Sequence, residues 1–529
     1  MNIKRTLLAP CLLLLVTVGI SRLNAQNPSV LTWHNDNSRD GLNTQETILT
    51  RSNVKAKSFG KVGFYSTDGK VDAQPLYVPA LTIAGAQHDV LFIASEHGSI
   101  YAKDAESGAW LWKTSLLQAG ETTSDDFNCA AISPEIGVTA TPVIDLSKGP
   151  NGAIYVVNMS KDNSGNYHQR INALDLVTGA QLFGGPTEIQ ASYPGTGDNS
   201  IGGNVVFDPK RYAERAALLE WNGDIYTTWS SHCDTRPYTG WVIAYSASTL
   251  QQSAVFNVTP NGSDGAVWMS GAGPAATSSM MLFMDGNGDF DTTLNSNGNP
   301  GNHDFGNAFL ALAKSDGTMQ VRDYYATDTT VQQSNKDTDL GSGGAMVLPD
   351  MMDNSGNTHY LAVGAGKDTN IYVVDRFNMG KYHPNGGYLY QLLPGALVSG
   401  AYSTPAYFNN TVYFGGVYDA VRAFPISNAK LATVASSRTA ATYQYPGATP
   451  SISANGTANS ILWAVNNTNP AVLYAYNAQD LSDELYDSNQ SGTRDQFGNG
   501  NKFIVPLVVN GHVFVGTGTG VAVFGLLGE

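Results

Sequence analysis

Charge is scarce in this chain. Only 14% of the 529 residues are Asp, Glu, Lys or Arg, and acids outnumber bases 44 to 29, for a formal net charge of −15. A surface poor in cations offers little to a polyanion, which argues against nucleic acid and anionic membrane as partners. Helical periodicity is nearly absent; the one candidate stretch, Tyr212 to Leu219, is short. The marks of several chemistries are missing as well. There is no Cys-x-x-Cys-His for covalent haem, no Gly-x-Ser-x-Gly elbow and no His-Glu-x-x-His zinc helix. The 9 histidines are scattered without metal-ligand spacing. His34, His232 and His303 sit in polar loops and leave open a shared mouth.

Cysteine is also rare, with 3 in all. Cys11 lies in an N-terminal stretch that has the layout of a secretory signal, residues 1–25. Lys4 and Arg5 form its basic end, Leu7 to Ile20 its apolar run, and Leu23-Asn24-Ala25 a cleavage site. No later stretch is apolar enough to span a bilayer. The sequence thus predicts export to the periplasm or outside, and a single mature domain over 26–529. In an oxidising space the remaining pair, Cys129 and Cys233, is expected to form a disulfide.

What the chain does have is turns and β-rich runs. Hydrophobic residues make up 42%, enough for a large core, and glycine is abundant at 56. One stretch sets the pattern, Ala102-Lys103-Asp104-Ala105-Glu106-Ser107-Gly108-Ala109-Trp110-Leu111-Trp112. Its Asp104 carboxylate and Ser107 hydroxyl can bond backbone inside a tight turn, and Gly108 can adopt a positive φ. Trp112 then supplies a large apolar face for docking on a neighbouring unit. The pattern returns at Ala173-Leu174-Asp175-Leu176-Val177-Thr178-Gly179-Ala180-Gln181-Leu182-Phe183, with Phe183 in the Trp place. Small-residue/Pro steps such as Thr141-Pro142, Gly273-Pro274, Thr404-Pro405 and Thr449-Pro450 precede β-rich runs along the chain. About eight such units, spaced roughly 45–75 residues apart, predict an all-β, eight-bladed β-propeller. Phe59 to Tyr65 precedes the first full unit and is expected to lend a strand to the last one, closing the ring. Trp33 to Asn53 is polar and irregular, an N-terminal strap.

The repeated turn resembles the tryptophan-docking motif of the pyrroloquinoline quinone (PQQ) repeat, and the chain after its leader resembles quinoprotein alcohol dehydrogenase-like propellers of the secreted bacterial type. The resemblance implies a quinone and a calcium ion, and four segments carry it. Val267-Trp268 is similar to the segment whose indole forms the floor under the quinone. Asp285-Gly286-Asn287-Gly288-Asp289 resembles the turn that supplies calcium ligands, which makes Asn287 and Asp285 the implied metal residues. Asp337-Thr338-Asp339 falls where the family carries its catalytic carboxylate, which makes Asp337 the implied base, though Lys336 stands where the family has Trp. Gly366-Lys367-Asp368 with Tyr372-Val373-Val374-Asp375-Arg376 resembles the strand pair whose Lys reaches a quinone carbonyl, here Lys367. Two family features are absent. There is no adjacent Cys-Cys pair, and the calcium-binding Glu falls near Thr235, one residue from Asp234. The expectation is therefore a ligand- or partner-binding scaffold with an altered quinoprotein site. The alternative is a PQQ- and calcium-dependent dehydrogenase of an alcohol or sugar. Exposed aromatics such as Tyr402, Tyr407 and Tyr443 suggest carbohydrate binding as a third role.

Overall fold

Short β-branched and aromatic runs separated by Gly, Asp and Asn turns favour antiparallel hairpins. The structure, a computed structural model, describes residues 28–528. The segment 1–25, expected to be a signal peptide, lies outside the described residues.

Among the described residues, eight sheets of four or more strands follow one another along the chain, antiparallel except where Leu42–Asn43 pairs parallel with Ser451–Asn455. The first is built from Leu76–Ile83, Ala86–Ser95, Ser99–Asp104 and Trp110–Ser115, bonded in chain order. The fourth repeats this with Ala275–Ala276, Met281–Met284, Phe309–Ser315 and Thr318–Tyr325, and the fifth with Met346–Val347, Leu361–Ala365, Ile371–Asp375 and Gln391–Leu393. The eighth takes its outer strand from the other end of the chain. Phe59–Ser66 pairs antiparallel with Gly520–Leu526, beside His512–Thr517 and Leu507–Val509. Tyr212 to Leu219 is not helical. Tyr212–Glu214 and Leu219–Trp221 both pair with Asp224–Ser231, so sheet formation overrides the local spacing.

A sheet with two apolar faces needs a neighbour on each side. Consecutive sheets share buried clusters: Phe92 with Ile154, Tyr155 with Ile243, Tyr226 with Phe283, and Leu282 with Val374. Val363 with Phe414, Tyr413 with Leu462, and Trp463 with Phe524 continue the series. Phe514 of the eighth sheet then packs with Tyr101 of the first, so the succession of neighbours returns to its start. This is the arrangement of a β-propeller, which removes free faces by closing on itself.

The repeated turns act as docking plates. Asp104 Oδ1 accepts the Ser107 N–H at 2.8 Å and its hydroxyl at 2.7 Å. Asp175 Oδ1 does the same for Thr178. Gly179 has φ +68°, and its bare Cα face lies under the Trp112 ring. The Trp112 Nε1–H donates to Leu176 O at 2.9 Å. Tyr65, from the chain's first long strand, docks the same way on the Gly108 turn and donates its hydroxyl to Ala105 O at 2.7 Å. Phe183 stacks beside Tyr155 with ring centroids 6.5 Å apart, at the joint of the second and third sheets.

The N-terminal strap crosses the innermost strand of each of these eight sheets in order. Val30 N–H donates to Tyr77 O at 2.8 Å, and Ile144 N–H donates to Leu31 O at 2.8 Å. Asn37 Nδ2 donates to Glu220 O at 2.8 Å. The N–H groups of Ala276, Val347, Tyr407 and Ile452 donate to the carbonyls of Asn37, Ser38, Asp40 and Gly41. Asn43 Nδ2 completes the circuit at Val508 O, 3.0 Å away. Arg39 is fully buried at its centre, donating to Thr32 Oγ1 at 2.7 Å and to the carbonyls of Trp33 and Pro274 at 2.9 Å each. Burial pushes its guanidinium down to about 10, and pushes the nearby His34 imidazole down to about 4.

Candidate functional site

The innermost strands all run the same way, so the loops that lead into them gather at one end of the axis. Arg215, Trp268, Asp339, Tyr402, Tyr445 and Phe503 each lie a few residues before an innermost strand and line one cavity of about 170 Å³. Cys233, Asp234 and Lys367 join them from the turns between second and third strands, which point to the same end. The strap closes the far side. Its Arg39 reaches Leu218 O and Pro274 O, three and four residues further along the descending chain than Arg215 and Ser270, at about 3.3 Å per extended residue. The strap therefore runs across the axis on the strand side of the cavity. Cys129 and Cys233 are disulfide-bonded, with a Cα–Cα distance of 5.9 Å. This bridge pins the 129–136 loop over the Cys233 side of the pocket.

Trp268 forms part of the wall. Its Nε1–H is buried without a partner among the described residues. Gly286 lies against this indole, where an added Cβ would come within 2.6 Å of the Trp268 Cδ1. The Gly-Asn-Gly turn is thus glycine-rich because the 265–268 segment passes directly over it, joined by Gly286 N–H to Ala266 O and Gly265 N–H to Asn287 O.

Lys367 sits between two carboxylates. Its Nζ is 2.6 Å from Asp337 Oδ1 and 2.8 Å from Asp339 Oδ2. The two acids differ in setting: the Asp337 side chain is 64% exposed, the Asp339 side chain 7%. Asp339 also accepts the Asn287 N–H at 3.0 Å. Burial raises its carboxyl above the usual range, against the opposing pull of Lys367. Burial lowers the Lys367 ammonium, but Asp339 and Asp337 outweigh this and hold it above its ordinary value. Asp234, at the rim, accepts the Tyr238 hydroxyl at 2.8 Å.

The remaining sequence candidates take different places. Asp285 is fully buried, and its two oxygens accept the N–H groups of Asn307 at 2.8 Å and Ala308 at 3.0 Å. Burial lifts its carboxyl well above the ordinary range. Asn287 Oδ1 is buried with no partner among the described residues. Of the three tyrosines, Tyr402 lines the pocket, Tyr443 is fully buried, and the Tyr407 N–H bonds the strap at Asp40 O. His34 is fixed in the strap between Arg39 O and Pro450 O. His232 stacks on Phe127 with centroids 4.2 Å apart, and the His303 N–H bonds Pro300 O in an outer loop.

The residues present fit a quinone better than a calcium ion. A flat, acidic cofactor would find an indole wall at Trp268 and cations at Lys367 and Arg215. Calcium takes six to eight oxygens. Here Asn287 Oδ1 is open, but Asp285 is committed to backbone and Asp339 to Lys367 and Asn287. Among the described residues no group of three His, Cys, Asp or Glu is placed to hold a metal ion.

Sequence reasoning missed Arg215, Tyr445 and Phe503. Arg215 carried a signal: together with Glu214 it interrupts an apolar run from Ala213 to Leu219, and charges inside such runs are rarely placed without a task. Tyr445 and Phe503 stand in loops with no repeat signature, and only ring closure brings them to the axis.

No protein-family model matches the chain, and no curated protein matches it. Solved structures do. The quinohemoprotein alcohol dehydrogenase ADHIIG from Pseudomonas putida HK5 superposes with a TM-score of 0.64 at 14% identity, over 95% of this chain and 80% of that one. The quinohemoprotein alcohol dehydrogenase from Comamonas testosteroni gives 0.61 at 13% identity, over 94% and 80%. A europium-containing methanol dehydrogenase gives 0.59 at 12% identity, over 94% and 98%. At such identities the likeness is one of fold, and it establishes that this chain folds as a β-propeller similar to those of the quinoprotein dehydrogenases.

Proposed function

We propose that the chain is an exported, single-domain, eight-bladed β-propeller that holds a small molecule in its axial pocket, at a quinoprotein-like site whose metal half is altered. The eight sheets, the cluster joining last to first, and the strap touching all eight innermost strands in order support the blade count. The disulfide supports export. One observation carries the functional reading. The pocket keeps an aromatic wall and cations, while the carboxylates a calcium ion would need already serve Lys367 and the backbone. The volume of about 170 Å³ favours a small ligand over a peptide.

The test is equilibrium dialysis of the purified protein with PQQ, with and without calcium, followed by dye reduction with a panel of alcohols and aldoses. The expected result is quinone binding that calcium does not strengthen, and no dye reduction. Calcium-dependent quinone binding with turnover that Asp337→Ala abolishes would overturn it. That outcome would make the chain a dehydrogenase, with Trp268 and Lys367 as cofactor contacts, Asp337 as base, and Asn287 and Asp285 at the metal.

A further inference from the structure

A second and larger cavity, of about 660 Å³, lies away from the axis, between the outer strands Thr187–Glu188 of the second sheet and Gln252–Asn257 of the third. The chain joining these sheets folds beside it into a small sheet of its own, in which Ser192–Pro194 and Ser200–Ile201 flank Asn204–Val206. This insert is pinned to the third sheet's loops. The N–H groups of Gly197 and Asp198 donate to Pro260 O and Gly262 O at 2.8 Å each, and Asp198 accepts the Arg236 fork at 2.8 and 2.9 Å. The groove is thus formed before any ligand arrives. Buried Ile189 and Phe207, with Pro209, give its lining carbon. Tyr167 is held in place by a 2.8 Å bond to Asp125 and by Phe127, 5.1 Å away between ring centroids.

The polar lining divides into free groups and spent ones. Among the described residues the side chains of Gln190 and Ser192, and Glu188 Oε2, have no hydrogen-bond partner. The charges are matched within the wall. Arg170 gives its fork to Glu121 at 2.7 and 2.8 Å and its Nε–H to Glu188 Oε1 at 2.7 Å. His168 Nδ1 lies 3.0 Å from that same Glu188 oxygen, and Lys161 pairs with Asp125 at 2.9 Å. Lys210 sits over the Tyr167 ring, 5.5 Å from its centroid.

We propose that this lateral groove is a binding site for a neutral saccharide. A hydroxyl both donates and accepts, so neighbouring hydroxyls can serve the Gln190 amide, the Ser192 hydroxyl and Glu188 Oε2 together. The C–H face of a sugar ring packs on apolar side chains such as Tyr167 and Pro209. A charged ligand gains little, because the cations and acids of the wall already satisfy one another and would have to be pulled apart. A wholly apolar ligand would strip water from the free polar groups and return nothing. The site shares no lining residue with the axial pocket and does not depend on what that pocket holds.

Saturation-transfer NMR on the intact protein tests this with maltotetraose, cellotetraose and chitotetraose, and with tetraalanine as a peptide probe. At least one of the three sugars is expected to bind with a Kd of about 1 mM or tighter. Its affinity should be the same at low and high salt, because a neutral ligand exchanges no charge with the wall. Gln190→Ala removes an exposed amide and should weaken that binding by about five-fold or more. Ser192→Trp fills the groove from an exposed strand position and should abolish it. Melting curves without ligand confirm that both variants fold, and should Ser192→Trp fail to fold, Gln190→Ala decides the matter. The proposal is overturned if none of the three sugars binds, if both variants bind as the intact protein does, if affinity falls as salt rises, or if tetraalanine binds more tightly than every sugar. None of these results touches the axial pocket, which is tested with PQQ.

Discussion

Replacing Gly179 by alanine probes the joint between the first two sheets. The residue has φ +68°, where an L side chain costs about 1–2 kcal/mol. The new methyl would also meet Trp112 Cε3 and Thr114 Oγ1, each at 2.6 Å, well inside contact distance. Trp112 must then lift away, breaking its 2.9 Å bond to Leu176 O, a loss of about 1 kcal/mol. It also gives up packing over Phe92, whose ring centroid is 5.9 Å away, worth about 1 kcal/mol more. The sum is about 3–4 kcal/mol for Gly179→Ala in the intact background. In a Trp112→Ala background the collision with the indole is gone, and the same change should cost the backbone part, about 1–2 kcal/mol, plus the shift of the Thr114 hydroxyl that both backgrounds share. A double-mutant cycle read by denaturant unfolding should therefore show a coupling of about 2 kcal/mol. Additive costs, with coupling below about 0.5 kcal/mol, would refute the docking argument.

Other perturbations follow from the same geometry. Arg39→Met strips the buried carbonyls of Trp33 and Pro274 of their donor, at about 1–3 kcal/mol each, and should lower the denaturation midpoint; an unchanged midpoint would mean the strap is not structural. Lys367→Met leaves Asp339 buried without its cation and raises its carboxyl further. A carboxyl raised above its unfolded value gives stability at low pH that is lost as pH climbs through the folded value. The variant should thus lose stability more steeply than the intact protein as pH rises above the ordinary carboxylate range, and parallel pH profiles would refute the pairing. Replacing Cys129 and Cys233 by serine opens a loop spanning 104 positions, for a loss on the order of 4–5 kcal/mol in the chain-entropy model, measured against the oxidised protein. Full alkylation of both thiols without reductant would show that the bridge is not formed in solution.

Much of the fold was legible from local chemistry. The turn at Asp104 to Gly108 and its copy at Asp175 to Gly179 announce themselves because carboxylate, hydroxyl and glycine serve the backbone within four residues of one another. Phe59 to Tyr65 was legible because it precedes the first full unit, and the structure pairs it with the last strand of the chain. The site was legible only in pieces. Trp268 and Lys367 lie in segments whose neighbours carry a pattern, and both line the pocket. Asp337 and Asp339 are two residues apart in one polar turn, and nothing local shows that one faces solvent while the other is buried under Lys367.

The sequence alone settled much of what each stretch does with its own backbone: where the β-rich runs lie, where the two Asp-x-x-Ser/Thr-Gly turns fall, and which aromatic follows each of them. Those choices depend on contacts within a few residues. Only the tertiary structure settled what meets at the axis, because Arg215, Trp268, Lys367 and Phe503 come from separate turns around the ring and share a cavity only once it closes. The strap shows the same division. Its irregular composition identified it as a strap, but the pairing of Arg39 with carbonyls more than 170 residues away is a property of the assembled ring.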